Sequence, residues 1–207
     1  MTKNSGTDSN DDNKEPFGAV DLGLSVKWAT CNIGASTPEE YGDYYAWGET
    51  ETKEDSSWET YKYGDSDALT KYCTNSDHGT VDNKTVLEPE DDVAHVKLGG
   101  SWRMPTDAEW EELLENCTWT KTTNYNGTGV EGRIVTATNG KSIFLPAAGY
   151  GGTGPTIDYW NPSGHYWSST ITDAPHIAWS LYFDSAGHLY GDTFARTWLF
   201  SVRPVCE

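Results

Sequence analysis

The stretch "EPEDDVAHVKLGGSWRMPTDAEWEELLENC", Glu88 to Cys117, carries the two clearest helix signals of the chain. In its first half, acidic residues lead, Lys97 falls in the last turn and Gly99-Gly100 follows, the order that the helix dipole and a left-handed C-terminal cap favour. The pattern predicts a helix from about Pro89 to Leu98, with the acidic run "EPEDD" as its solvated start. In the second half, Thr106 and Glu109 stand at capping-box positions. Trp110, Leu113, Leu114 and Cys117 then recur at i, i+3, i+4 and i+7, so this helix presents an apolar stripe that must face a core.

Working outward, the other signals are short strands and turns. Upstream, "AVDLGLSVKWATCNIGA" reads as strand, turn, strand, with Leu24, Val26 and Trp28 on one face. Thr37, Pro38 and Glu40 suggest a short helical turn, and "YYAWGET", Tyr44 to Thr50, reads as a strand. From Glu51 to Asp82 the chain is rich in Asp, Ser, Thr and Tyr, which points to a long irregular surface excursion. Downstream, "GRIVTATNGKSIFLPAAGY" has two apolar runs around Asn139-Gly140, a hairpin signal that favours a type I′ turn. These elements predict one α+β domain with two helices, small antiparallel sheets and much irregular loop.

Composition narrows the class of function. The chain has 207 residues and a formal charge of -18, which argues against nucleic acid or an anionic membrane as partner, since both require cationic surfaces. Ten Trp and twelve Tyr are too many for a disordered chain. A mean hydropathy of -0.66 without a long apolar run argues against a membrane span. Cys31, Cys73, Cys117 and Cys206 lack C-x-x-C spacing, leaving two disulfides or four buried thiols as alternatives. Residues 1–16, "MTKNSGTDSNDDNKEP", have no apolar signal-peptide core and read as a disordered tether ahead of a single domain from residue 17 to 207. Such a run often follows the lipidated cysteine of an exported lipoprotein, so an extracellular or outer-membrane location with a lipid anchor in the precursor is expected.

With these segments in hand, the chain becomes recognisable. Glu90 to Leu113 resembles the segment around "R-L-P-T-E-A-E-W-E" in formylglycine-generating, sulfatase-modifying domains, which have a C-type lectin-like fold, and "FSVRPV" resembles that fold's closing strand. Together with "FLPAAGY" and "YWSST", the chain from about Phe17 is similar to paralogous surface domains of gut Bacteroidetes. Some of those are variable proteins of diversity-generating retroelements, in which template adenines near the gene's 3′ end are replaced. The resemblance implies a C-type lectin-like fold and a non-enzymatic, cell-surface ligand-binding protein with a hypervariable region at about residues 150–201.

Adenine replacement can be checked against composition. Asn codons mutated this way never yield Lys, Glu, Gln, Met or Trp. The first 141 residues hold ten Lys and fourteen Glu, whereas Ser142 to Cys206 holds neither, where a uniform distribution would place about eleven. Depletion of long charged side chains in strands is the competing cause. Trp160, Trp179 and Trp198 cannot come from an Asn template and are either fixed positions or mark a different template. In "AWSLYF", Trp179, Leu181 and Phe183 are assigned to the core, and Ser180 and Tyr182 to the surface.

The expected contact set is Asp158, Tyr159, His165, Asp173, His176, Ile177, Ser180, Tyr182, His188, Tyr190, Asp192, Thr193, Phe194, Thr197, Trp198, Leu199 and Phe200. Its aromatic and small polar side chains match the composition of antibody paratopes. The expected supporting core is Trp110, Leu113, Leu114, Trp167, Leu181, Phe183 and Val202, with Thr197 to Phe200 as a display loop. The expected partner is a protein or glycan on a cell or phage surface, with no cofactor and no metal. A formylglycine-generating-like catalyst is the alternative, but that family uses a cysteine pair near the C-terminal end and only Cys206 is there. The related iron enzymes need a His-x-x-x-His site, a spacing absent here. The calcium motifs "E-P-N" and "W-N-D" of sugar-binding lectins are also missing. A fixed-specificity structural or pilus-associated domain is the third reading.

Overall fold

The computed structural model describes residues 18–151 and 162–207, together with the backbone of 157–158. The tether, Tyr159 and Trp160 lie outside the described residues. In chain order the elements are β1 (Ala19–Val20), β2 (Lys27–Ala29), α1 (Val93–Leu98), α2 (Asp107–Asn116), β3 (Cys117–Thr122), β4 (Gly132–Ala137), β5 (Ser142–Pro146), β6 (Tyr150–Gly151), β7 (Ile157–Asp158), β8 (Ser163–Ile171), β9 (Ile177–Asp184), β10 (Leu189–Ala195) and β11 (Val205–Cys206). The strands form antiparallel sheets in the orders β1-β2-β11, β10-β9-β8 and β3-β4-β5, plus the pair β6-β7. This is the expected α+β architecture, with two helices, small sheets and much irregular chain.

The two helices start where their caps dictate. At α2, Thr106 Oγ1 accepts from the Glu109 N–H at 3.3 Å, and the Glu109 carboxylate accepts from the Thr106 N–H at 2.7 Å and from Arg103 at 2.5 and 2.8 Å. The other predicted helix is divided. Pro89–Asp91 is a 3-10 turn, Asp92 is extended, and α1 begins only at Val93. Asp92 causes the division: one oxygen caps the Ala94 and His95 N–H groups, while the other accepts from the Met104 N–H at 2.8 Å. The acidic run is therefore not a solvated start, because Asp91 and Asp92 are both buried and bonded.

The β8-β9-β10 sheet divides two cores. On one face, Tyr166, Leu181, Phe183 and Leu189 pack with Trp110 and Leu113 of α2, Val135, Leu145 and Trp28; on the other, Trp167, Ala178 and Phe194 pack with Trp47, Tyr61, Tyr72, Leu199 and Phe200. The predicted stripe of α2 holds, with Trp110 and Leu113 buried and Leu114 half-buried, and Trp167, Leu181, Phe183 and Val202 are core as expected.

Several expectations change. Tyr44–Thr50 is no strand: Tyr45 exchanges both backbone hydrogen bonds with Phe200, then the chain turns at Trp47-Gly48, where Gly48 has φ +76°. Residues 37–40 make a turn instead of a helix, with the Glu40 carboxylate accepting from the Ser36 and Thr37 N–H groups. Glu51 to Asp82 is irregular, yet it enters the core through Tyr61, Tyr63, Leu69, Tyr72 and Cys73. Tyrosine makes this possible, because its ring fills space while its hydroxyl donates to a buried acceptor: Tyr61 to Trp47 O, Tyr63 to Gly48 O and Tyr72 to Asp91. The β4-β5 hairpin forms, but through Thr138–Gly140: Gly140 N–H donates to Ala137 O with Gly140 at φ +80°, a three-residue loop and not the type I′ turn. The four cysteines are thiols, with no disulfide among the described residues.

Candidate functional site

Opposed residues of an antiparallel ladder share a face. The β8-β9-β10 register therefore places His165, Trp167, Ser180, Tyr182, Tyr190, Asp192 and Phe194 on the face away from α2. Tyr150 at the start of β6 and Trp198 pack onto the same face, giving linked rings: Tyr182–Tyr190 at 5.2 Å, Phe194–Trp198 at 5.8 Å and Trp198–Tyr150 at 5.1 Å. Tyr190 is exposed, and Tyr150, Tyr182, Asp192, Phe194 and Trp198 are half-buried, so the rings form a partly open aromatic surface.

Beneath it lies His165, 4% exposed, ringed by Tyr150, Tyr182, Phe194 and Phe200 at 4.8 to 5.3 Å. Its Nδ1 is buried without a hydrogen-bond partner, and burial pulls its pKa down to about 4. His165 is thus neutral near pH 7, and the fold works against its protonation. With the folded pKa below the unfolded value, the stability tied to the neutral ring is complete above about pH 6.5 and is lost as pH falls towards 4, by roughly 3 kcal/mol. His165→Phe is expected to flatten the stability profile between pH 6.5 and 4 in urea titrations. An unchanged slope would show that another group carries it.

At the hairpin tip, Asp184 accepts from the Gly187 and His188 N–H groups and pairs with His188 Nδ1 at 2.6 Å. Burial opposes its ionisation, but these hydrogen bonds prevail and hold it at about 2. The Tyr182 hydroxyl, 3.1 Å from the same carboxylate, is pushed up to about 12 by its burial and by that charge. From Ser142 to Cys206 the Lys and Arg content is Arg196 and Arg203 alone, both fully buried, so this region offers carboxylates but no lysine or arginine at its surface.

The expected contact set is only partly brought together. His165, Ser180, Thr197, Leu199 and Phe200 are buried and leave the contact surface. Ser180 faces Asp192 across the ladder and Oγ donates to its carbonyl at 3.3 Å. Phe200 packs on Trp167 at 4.3 Å, and Leu199 exchanges backbone hydrogen bonds with Gly151. The segment 196–200 is therefore a core strap and not a display loop, and only Trp198 remains half-buried.

Arg196 fixes that strap, its guanidinium stacked 4.7 Å from the Trp47 ring and donating to the Lys71 and Tyr72 carbonyls. Tyr182, Tyr190, Asp192, Phe194 and Trp198 do form one surface, with His188 at its edge, 6.3 Å from Tyr190. Asp173 is exposed in the β8-β9 turn, and His176 packs at a tilt against His78, 4.6 Å between ring centres; Ile177 and Thr193 lie on the opposite face of the sheet. Asp158 pairs with Tyr150 through the backbone, and Tyr159 lies outside the described residues.

Two residues were missed. Tyr150 closes the aromatic surface, but no periodicity links it to Trp198, 48 positions away. Trp179, assigned to the core by alternation, is half-buried at the edge of a groove beside α2. The arrangement can hold a ligand by ring stacking, hydroxyl hydrogen bonds and carboxylate contacts. No family model, curated protein or solved structure matches the chain.

Proposed function

We propose that this domain is a non-enzymatic ligand-binding module, displayed outside the cell, that recognises a protein or glycan through the aromatic face of the β9-β10 hairpin. One observation carries this reading: Tyr182, Tyr190, Phe194 and Trp198 stay partly open on a rigid sheet whose opposite face is packed on α2. Large rings left at the surface favour association, and a rigid support lowers the entropy cost of binding. The resemblance to C-type lectin-like surface domains and the absence of Lys and Glu from 142–206 support a hypervariable version of this reading. In it, adenine-directed mutation alters the exposed hairpin positions while the buried ones stay constant.

The full chain, screened against glycan and surface-protein arrays, tests the site. Tyr190 is 45% exposed, so Tyr190→Ala is expected to change stability by less than about 1 kcal/mol yet weaken any ligand found by tenfold or more. If both Tyr190→Ala and Tyr182→Ala bind as the parent does, the aromatic face is not the site. Diversification is tested separately at the gene: a nearby repeat of the 3′ end differing at adenines supports it, and a genome without such a repeat leaves a binding surface of fixed specificity.

A further inference from the structure

A groove runs between α2 and the β9-β10 hairpin, on the opposite face of the sheet from the aromatic surface and independent of it. Asp107, Trp110, Glu111 and Leu114 line it from α2, and Trp179 and Gly191 from the hairpin, around a space of about 120 Å³. One water needs roughly 10–15 Å³ of such space, so the groove has room for a long side chain but not for a folded element. Trp110 at its floor is buried, while Leu114 and Trp179 are half-buried. At Gly191 a Cβ would meet nothing within 4 Å, so the hairpin side is open.

The lip of the groove is acidic and lacks a counter-charge. Asp107, Glu111 and Glu115 recur at i, i+4 and i+8, and α2 has no basic residue in its last turn. Asp107 in the first turn is favoured by the helix dipole, but the like charges at this spacing and the Glu115 carboxylate near the C-terminus work against the helix. Other carboxylates of α2 are used within the fold, Glu109 by Arg103 and the cap, Glu112 by Ser25. Among the described residues, no ion pair or hydrogen bond engages the Asp107 or Glu111 side chain.

We propose that the groove docks a basic side chain, an arginine or lysine projecting from a protein partner. Its apolar stem lies along Leu114 and its cation sits beside the Trp179 ring, between Asp107 and Glu111. A cation over an indole face is attracted by the ring quadrupole, and the chain's net charge of -18 steers such a partner inward. Arginine fits better than lysine, because its planar fork stacks on a ring and donates to two carboxylates at once.

The test is a titration of the nitrogen-labelled full chain with a capped tri-arginine peptide, following the indole N–H signals, with tri-citrulline as the uncharged counterpart. Trp179→Phe identifies the Trp179 signal. Tri-arginine is expected to shift that signal saturably and tri-citrulline to leave it in place. Asp107→Asn with Glu111→Gln is expected to weaken binding at least tenfold, and Gly191→Leu, which fills the groove, to abolish it. Glu59→Gln with Asp77→Asn, two exposed carboxylates elsewhere, serves as the control for general attraction.

Equal weakening by that control pair, binding retained by Gly191→Leu, or a Trp179 signal that tri-arginine does not move would overturn the proposal. Dispersion of the remaining indole signals reports whether each variant is folded, so a variant that unfolds leaves the decision to the other.

Discussion

Replacing Arg203 by alanine is expected to destabilise the domain by about 4 kcal/mol or more, a large part of the 5–15 kcal/mol typical of a whole domain. Arg203 is fully buried and its guanidinium joins residues 29–32 to β5: Nε donates to Asn32 Oδ1 at 2.9 Å, and the terminal nitrogens to the Ala29 and Phe144 carbonyls at 3.0 Å each. Its removal leaves three buried acceptors short of a donor and opens a cavity in the core. Arg203→Lys keeps the charge but not the fork, and is expected to lose most of the same stability. Urea unfolding of both variants measures this; a midpoint within error of the parent for Arg203→Lys would mean that charge alone, not the three directed bonds, holds the segments.

The second large effect is expected at Asp91. Its buried carboxylate accepts from Lys62 at 2.8 Å, Lys71 at 2.6 Å and the Tyr72 hydroxyl at 2.7 Å. Burial opposes ionisation, but these donors prevail and hold the carboxyl well below the usual carboxylate range. The folded pKa is thus lower than the unfolded one, so the contribution is complete above about pH 5 and is lost as pH falls through 4 and below. Asp91→Asn is expected to cost roughly 3 kcal/mol at pH 7, because Lys62 loses its charged partner and Lys71 one of its partners, and much less near pH 2. Unfolding midpoints of parent and variant at both pH values decide the matter, and an equal difference at the two would assign the effect to packing. The same cluster explains why Glu88, Glu90 and Asp91 lie close together: Lys71 joins all three and Lys84 pairs with Glu88, so the grouping is balanced within the fold.

Both effects contrast with the small stability change expected at Tyr190, and the contrast bears on the proposed function. The large effects are expected at Arg203, Arg196 and Asp91, which tie distant segments together through directed, buried bonds. The exposed hairpin face contributes little to it. A scaffold built this way is expected to tolerate substitution better at the exposed Tyr190 and half-buried Asp192 than at the buried Phe200 and Thr197.

Local signals were legible wherever neighbours in sequence settle the outcome. The cap at Thr106, the stripe Trp110–Leu113, the glycine stop after Leu98 and the hairpin around Asn139-Gly140 depend on hydrogen bonds and periodicity within a few residues, and each reappears in the fold, the hairpin with a three-residue loop in place of the type I′ turn. Helix α1 is shorter than its local pattern predicts because the N-terminal cap at Asp92 is reinforced by a contact with Met104 that no local pattern announces. Polar composition likewise suggested a surface path for Glu51 to Asp82, whereas its tyrosines enter the core once Trp47, Gly48 and Asp91 supply acceptors for their hydroxyls.

By itself, the sequence determined the class of the fold, its two helices and an acidic chain with neither Lys nor Glu between residues 142 and 206. Tertiary structure alone decided which of the C-terminal aromatics are accessible. Phe200 and Leu199 became core and Trp198 stayed partly open because Tyr45 and Gly151 pair with that strap from outside it. Alternation along one strand says which side chains share a face, but burial depends on what the rest of the chain lays over that face.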